Sequence, residues 1–332
     1  MAHSIACRWR TLTGGPTIAD AQRPTVVACS GGPDSCGLVL ALHAYGGVEA
    51  VVHVVHDLRP RDAAMADRDV AAGLARRLGL AFAERHIEVA SMPGNAEAVA
   101  RAARYDALAA LAAQCGARFI ATAHHADDQL ETMLLRLTRG AGPRALAGIK
   151  SRRRLENGTV VIRPALRTPR AGLLEMCKLA GVSFAHDATN LDTTRARGFL
   201  RANVAPALEA LSPGAARHAA GAADRQASVS HFLGLHAEAA LQRCTISSEA
   251  GVRELDRAML RAEHRAIVAE VLVLASRSVA DREGARSLHA RSVESLTSAV
   301  RGTVGGTREF RLGPATARLT RDRVEISCSP PR

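Results

Sequence analysis

"VVACSGGPDSCGL", residues 26–38, joins a strand-like run to a helix-like one through two glycines. A β-branched, apolar run breaks into Ser30-Gly31-Gly32-Pro33-Asp34-Ser35 and then turns apolar again. Two glycines let the chain turn tightly without a Cβ, and the helix expected to follow points its positive end at whatever anion rests there. A phosphate suits that position, and Asp34 beside a phosphate makes sense if it bears on a shared Mg²⁺ ion. The same residues also make an ordinary Gly-Pro turn with Asp and Ser capping a helix, so this stretch alone leaves both readings open. The mononucleotide loop GxxxxGK[ST] is excluded because no Lys precedes position 150. The dinucleotide pattern GxGxxG is missing as well.

Working outward, "TVVACS" (25–30), "VEAVVHVV" (48–55), "AFAERHIEV" (81–89) and "RFIATA" (118–123) have strand length and composition. Between them lie "DSCGLVLALHAY", "DAAMADRDVAAGLARRLG" and "NAEAVARAARYDALAALAAQCG", with apolar residues three and four apart. This βαβα order predicts a parallel sheet flanked by helices, with ligands at the carboxyl ends of the strands. From Arg144 to Arg170 eight basic residues face Glu156 alone; a solvated loop is the default reading, and its position raises the case for a phosphate backbone. Beyond Pro213 the chain reads as helical and Ala-rich to about residue 300, then as three short strands in "TREFRLGPATARLTRDRVEIS".

The 332 residues suffice for two or three units, and with only 3% aromatic residues the core must rest on Ala, Leu and Val. The net charge is +12, and since Lys occurs only at 150 and 178, the 44 basic residues are almost all Arg. Guanidinium forks suit phosphate, so a polyanionic partner is expected; a coding bias toward Arg explains the choice of residue but not the positive balance. Cysteines at 7, 29, 36, 115, 177, 244 and 328 form no CxxC pair and read as reduced thiols, with Cys29 and Cys36 packing as small apolar residues. No apolar run approaches a membrane span, so a soluble, cytoplasmic protein is expected.

"SGGPDS" matches SGGxDS, the PP-loop of the ATP pyrophosphatases, which cleave ATP between its α and β phosphates. "TAHHADDQLETMLLRLTRG" (122–140) resembles the signature of the tRNA(Ile)-lysidine synthetase family. "RAARYDAL" (101–108), "DATN" (187–190) and "RGFLRANVAPAL" (197–208) resemble further markers of that family, in the same order. Two departures stand out: the family carries an Asp where this chain has Val55, with Asp57 two places on, and an Asn where it has Gly198.

The resemblance implies a Rossmann-like, adenine nucleotide alpha-hydrolase-like PP-loop ATPase domain over 24–211. It follows an N-terminal extension, 1–23, and precedes a mainly helical tRNA-recognition domain over 212–332 that ends in short β-strands. It implies ATP and Mg²⁺, with ligation of L-lysine to C2 of the wobble cytidine in the CAU anticodon of tRNA(Ile). The route is an adenylated intermediate that releases pyrophosphate and then AMP. Ser30, Gly31, Gly32, Pro33, Asp34, Ser35 and His56 are the expected nucleotide contacts, with Asp34 on the metal. Asp34, His124, Asp127, Asp128 and Glu131 are the expected catalytic groups, and either His124 or His125 could shuttle protons. Arg104, Tyr105, Asp187, Asn190, Arg195 and Arg201 are expected to contact tRNA or lysine. The family also often forms homodimers.

Ligand counting disfavours a dedicated Zn or Fe site at the His-Asp cluster, since no second His/Cys cluster or HExxH occurs. A zinc deaminase and a sulfur-delivering PP-loop enzyme are both disfavoured by the lack of CxxC. Another PP-loop enzyme with a different acceptor, and a non-catalytic nucleic-acid-binding protein on a nucleotide fold, remain as alternatives.

Overall fold

The computed structural model describes residues 1–58, 60–92, 96–182, 184, 195–249, 251–279, 290–303, 305–313 and 315–328. The chain divides into two compact units, 1–135 with 148–223 and 136–147 with 224–332.

In the first unit the strands are β1 (Thr25–Ala28), β2 (Ala50–His56), β3 (Ala81–Ile87), β4 (Phe119–Ala121), β5 (Arg152–Arg154) and β6 (Val160–Ile162). They form one sheet in the order β3-β2-β1-β4-β6-β5, parallel except for β5, which pairs antiparallel with β6. The helices are α1 (Ala2–Leu12), α2 (Pro33–His43), α3 (Arg61–Arg77), α4 (Ala96–Gln114) and α5 (Ala126–Leu137). After them come α6 (Pro143–Leu146), α7 (Arg170–Leu179), α8 (Ala196–Phe199), a π-helical turn over Leu200–Val204, α9 (Ala205–Leu211) and α10 (Ala215–Cys244). Of these, α6 lies in the second unit, and α5 and α10 carry residues of both.

The period-2 alternation of strand side chains explains the layering. Val27, Val51, Phe119 and Ile162 pack with Trp9, Leu38, Leu42 and Leu173 on one face. Val26, Val52, Ile120 and Val161 pack with Tyr105, Leu108 and Leu111 on the other. Both faces are apolar, as a parallel sheet covered by helices requires. Residues 1–23, expected as an extension, supply α1, whose Ile5 and Trp9 are fully buried; the Trp9 indole donates to Thr25 Oγ1 at 3.0 Å.

Sheet order locates the site. The chain runs β1, β2, β3 in one direction and then returns to place β4 on the other side of β1, so the topological switch point lies between β1 and β4. Ligands bind at that crevice, outside the carboxyl ends of the strands. The two motifs from the sequence, Ser30–Ser35 and Thr122–Gln129, follow these two strands.

The second unit has a five-stranded antiparallel sheet ordered β7-β8-β11-β10-β9, from β7 (Thr245–Glu249), β8 (Val252–Asp256), β9 (Arg308–Arg311), β10 (Ala315–Leu319) and β11 (Arg323–Cys328). It packs with α11 (Arg257–Ala262), α12 (Arg265–Val279) and α13 (Ala290–Arg301) around Leu255, Leu272, Leu296 and Ile326. The C-terminal strands fall where the sequence predicts them. The β7–β8 hairpin lies inside the stretch read as helical, and β5–β6 inside the stretch read as a solvated loop. Among the described residues no helix is long and apolar enough to cross a membrane.

Candidate active site

The loop after β1 is shaped by two different glycines. Gly31 has φ +82°, and a Cβ there would meet the Asp67 backbone of α3 at 2.3 Å, so both conformation and packing exclude a side chain. Gly32 has an ordinary φ of −80°, and a Cβ there would meet only Ser30 Oγ at 3.6 Å. The space over Gly32 is therefore open to an incoming group. Ser35 braces the turn: its hydroxyl donates to the Gly32 carbonyl at 2.9 Å and accepts from the Ser30 N–H at 3.0 Å. Pro33 opens α2, whose first N–H groups lack intrahelical partners and face the strand end.

Asp34 is fixed from α7. Gly37 lets α2 approach closely, since a Cβ there would lie 2.5 Å from the Leu173 carbonyl, and this crossing brings Arg170 to Asp34, Nε to Oδ1 3.2 Å. Asp127 Oδ2 accepts from the Arg170 backbone N–H at 2.8 Å. The second cluster opens α5, whose N-terminus favours carboxylates in its first turn. His125 is the hub: its ring nitrogens lie 3.7 Å from Asp34 Oδ2, 3.5 Å from Asp127 Oδ2 and 3.5 Å from Asp128 Oδ2. Burial opposes the charge on His125, but hydrogen bonds to Asp127 and Asp34 and the charges of Asp128 and Asp34 outweigh it, and its pKa is pushed up to about 10. A contact from the Asp128 N–H to Nδ1 at 3.4 Å would need a lone pair there; it is long, and the three carboxylates decide the state. Burial likewise works against ionising Asp34 and Asp127, yet hydrogen bonding to His125, helped by Arg170, holds both carboxyls below their ordinary range.

His124, one residue earlier, faces the opposite field. Burial first, then the charges of Arg163, Arg101 and Arg104, push it well below its ordinary pKa, so it is neutral; its Nδ1 shares a hydrogen bond with Thr122 Oγ1 at 3.0 Å. Around it Arg163 donates to the buried Tyr105 hydroxyl at 3.0 Å, and Arg101 and Arg153 lie 5.2 and 5.3 Å from the Tyr105 ring centroid. Among the described residues no carboxylate forms an ion pair with Arg101, Arg104, Arg153 or Arg163.

The structure thus brings Ser30, Gly31, Gly32, Pro33, Asp34, Ser35, His124, Asp127 and Asp128 to one sheet edge. Glu131 is 1% exposed and gripped by Arg201 from the π-helical turn, with Oε1–Nε 2.8 Å and Oε2–Nη2 3.2 Å, so these two expected site residues answer each other. Arg104 is exposed on α4, Arg195 is the exposed N-cap of α8, and His56 is half-buried at the carboxyl end of β2. Asp187 and Asn190 lie outside the described residues. Asp57 accepts from the Val89 and Ala90 N–H groups at 2.8 and 3.1 Å; its carboxylate caps the chain after β3. Arg170, Arg163 and His125's role as hub are missed by motif reading; the only sequence signal for the two arginines was their place in the basic 144–170 run.

Among the described residues no three His, Cys, Asp or Glu are grouped to hold a metal ion by themselves. The Asp34 carboxylate, 29% exposed beside the loop, is a hard oxygen donor of the kind Mg²⁺ uses when phosphates complete its shell.

Residues 5–208 match the family model described as a PP-loop domain. The fold is similar to that of a U34-tRNA thiolase from Methanococcus maripaludis, with a TM-score of 0.52 at 15% identity over 67% of this chain and 77% of that one. The tRNA(Ile)-lysidine synthase of Salinispora arenicola is 37% identical over 318 residues, 91% of each chain, and that of Methylobacterium nodulans 36% over 323 residues, 92% of this chain and 91% of its own. The Thermus thermophilus synthase is 40% identical over 222 residues, 66% of this chain and 42% of its own length. With likeness of this extent along nearly the whole chain, and a PP-loop match whose span includes both the loop and the strand end that build the site, the chain belongs to the tRNA(Ile)-lysidine synthase family of PP-loop proteins.

Proposed function

We propose that the chain is an ATP-dependent ligase that joins L-lysine to C2 of the wobble cytidine in a CAU-anticodon tRNA(Ile). In the first step the cytidine O2 attacks the α-phosphorus of ATP, the α–β phosphoanhydride breaks and pyrophosphate leaves. In the second the lysine ε-amine attacks C2 and AMP departs with the original oxygen. The observation that carries the reading is the open face over Gly32, at the switch point and beside the Asp34-His125-Asp127-Asp128 cluster.

In this reading Ser30, Gly31, Gly32, Pro33 and Ser35 form the pyrophosphate seat, with His56 at its flank, and Asp34 is the residue that would hold Mg²⁺. The ion, when bound, neutralises charge building on the leaving group. His125, already a cation, adds fixed positive charge rather than shuttling protons. Asp127 and Asp128 face the lysine ammonium, and neutral His124 is the histidine able to accept its proton. Glu131 and Arg201 keep the start of α5 in register. Arg104, Tyr105, Arg195, Asp187 and Asn190 serve tRNA or lysine, and residues 212–332 serve tRNA recognition.

Incubation with ATP, Mg²⁺, radiolabelled lysine and a CAU-anticodon isoleucine tRNA transcript tests this. Label should enter the tRNA with pyrophosphate release, and replacing the wobble cytidine by uridine should abolish it. Label entry that survives that replacement would sink the proposal.

A further inference from the structure

Two thiols frame the PP-loop. Cys29 precedes Ser30 at the end of β1, Cys36 follows Ser35 in the first turn of α2, and their sulfurs lie 3.8 Å apart. Both are nearly enclosed, 2% and 0% exposed. The Cys29 sulfur is also 3.6 Å from the Ser35 hydroxyl that braces Ser30 and Gly32, so the pair lies directly under the loop's own hydrogen bonds. A third thiol, Cys177 on α7, donates to the Pro33 carbonyl at 3.2 Å. The ligation chemistry uses none of them.

A disulfide needs an S–S separation of about 2.05 Å, so the two sulfurs must close by roughly 1.8 Å. The Cys29 backbone is anchored: its N–H donates to the Val52 carbonyl at 2.9 Å, and its carbonyl is hydrogen-bonded to His53 Nδ1 at 2.7 Å. Closure therefore either swings the two side chains, drawing the Cys29 sulfur away from the Ser35 hydroxyl, or shifts the first turn of α2, and both disturb the bracing of Ser30 and Gly32. Backbone N–H groups hold phosphate oxygens only within hydrogen-bond distance and alignment, so a shift of about 1 Å in the loop weakens those contacts.

We propose that Cys29 and Cys36 are a reversible oxidation site at which a peroxide forms a disulfide across the PP-loop and thereby weakens ATP binding. One sulfur attacks a peroxide oxygen, the O–O bond breaks, and a sulfenic acid and one water result. The other thiol displaces the sulfenic hydroxyl as a second water while the S–S bond forms. Two thiols and one peroxide thus give one disulfide and two waters, with two electrons passing from sulfur to oxygen. A dithiol reverses the reaction by exchange. Of the two, Cys29 at 2% exposure is the sulfur with surface for a peroxide to meet, and Cys36 at 0% is placed to resolve it. The consequence for ATP rests on the reading of the loop as the nucleotide seat; the bond itself does not.

The test treats the reduced full-length chain with hydrogen peroxide, alkylates the remaining thiols after denaturation, maps them by mass spectrometry and measures ATP affinity in parallel on the folded protein. Expected are protection of Cys29 and Cys36 together, affinity weaker by about tenfold or more, as the loss of one hydrogen bond to a phosphate implies, and recovery with dithiothreitol. Cys36→Ala and Cys29→Ala should each bind ATP within about twofold of the reduced wild type and ignore peroxide. Full alkylation of both cysteines after peroxide, or a bond from either one to Cys177, would overturn the pairing. An equal peroxide effect in both variants would overturn the link to ATP. If the reduced wild type binds no ATP, the nucleotide reading fails, while the alkylation map still decides the pair.

Discussion

His124 and His125 are consecutive residues of the same type, and the structure gives them opposite charge. His125 looks into three carboxylates and is held protonated, with a pKa of about 10; His124 looks toward Arg101, Arg104 and Arg163 and is held neutral. The difference lies in the surroundings alone, since both start from a reference near 6.5. The acidic half is built from the N-termini of α2 and α5, and the basic half from α4, β5 and the end of β6. A single strand end thus presents a bipolar surface, which suits a reaction handling phosphates and a cationic amine at neighbouring atoms.

Removing a carboxylate from the acidic half should have the largest effect. Asp34→Asn should lower pyrophosphate release by about 10²–10³-fold and bring His125 down from its raised pKa, while tRNA affinity stays near wild type. Equal loss of both would mean a folding defect, which circular dichroism would reveal. Next in size is the pair under that half. Arg201→Met leaves the buried Glu131 carboxylate alone and should cost about 3 kcal/mol in urea denaturation. Glu131→Gln leaves a guanidinium that is 30% exposed and should cost only about 1 kcal/mol.

The histidines themselves sharpen the contrast through pH. Because the folded pKa of His125 is raised, its stabilisation is complete below about pH 6.5 and is lost as pH climbs through about 10. The folded pKa of His124 is depressed, so its effect is opposite: stability is complete above about pH 6.5 and falls as pH drops below it. In protein free of nucleotide and Mg²⁺, His125→Gln should flatten the alkaline limb of the stability curve and His124→Gln the acid limb. Histidine NMR titrations of the wild type should show the same split. The smallest effect belongs to the basic half. Tyr105→Phe removes one acceptor from Arg163 and should cost about 1 kcal/mol, with the acidic half and ATP affinity unchanged.

The parts of the site legible in the sequence are those made of consecutive residues. Ser30–Ser35 and Thr122–Gln129 each follow a strand, and the βαβα order around them already implied the parallel sheet and its ligand edge. What escaped depends on contacts across the chain. Arg170 meets Asp34 across 136 positions, and Arg201 meets Glu131 across 70. Arg170 carries no local mark beyond its place in the basic 144–170 run, and Arg201, though named from its motif, carries no sign that it pairs with Glu131. The β5 strand, Arg152–Arg154, is all arginine and three residues long, so neither propensity nor alternation reveals it; its pairing with β6 does. Asp57 carries no local sign that it caps Val89 and Ala90, because β3 is brought beside β2 only by the fold.

A bipolar strand end that first transfers AMP to the wobble cytidine and then admits lysine should leave an adenylated tRNA that can be trapped. ATP labelled in its α-phosphate, supplied with a CAU-anticodon isoleucine tRNA and no lysine, isolates that step. AMP label should accumulate on the tRNA with release of pyrophosphate, and adding lysine should discharge it as free AMP. Lysine entering the tRNA while no AMP label can be trapped there at any time would contradict this order of steps.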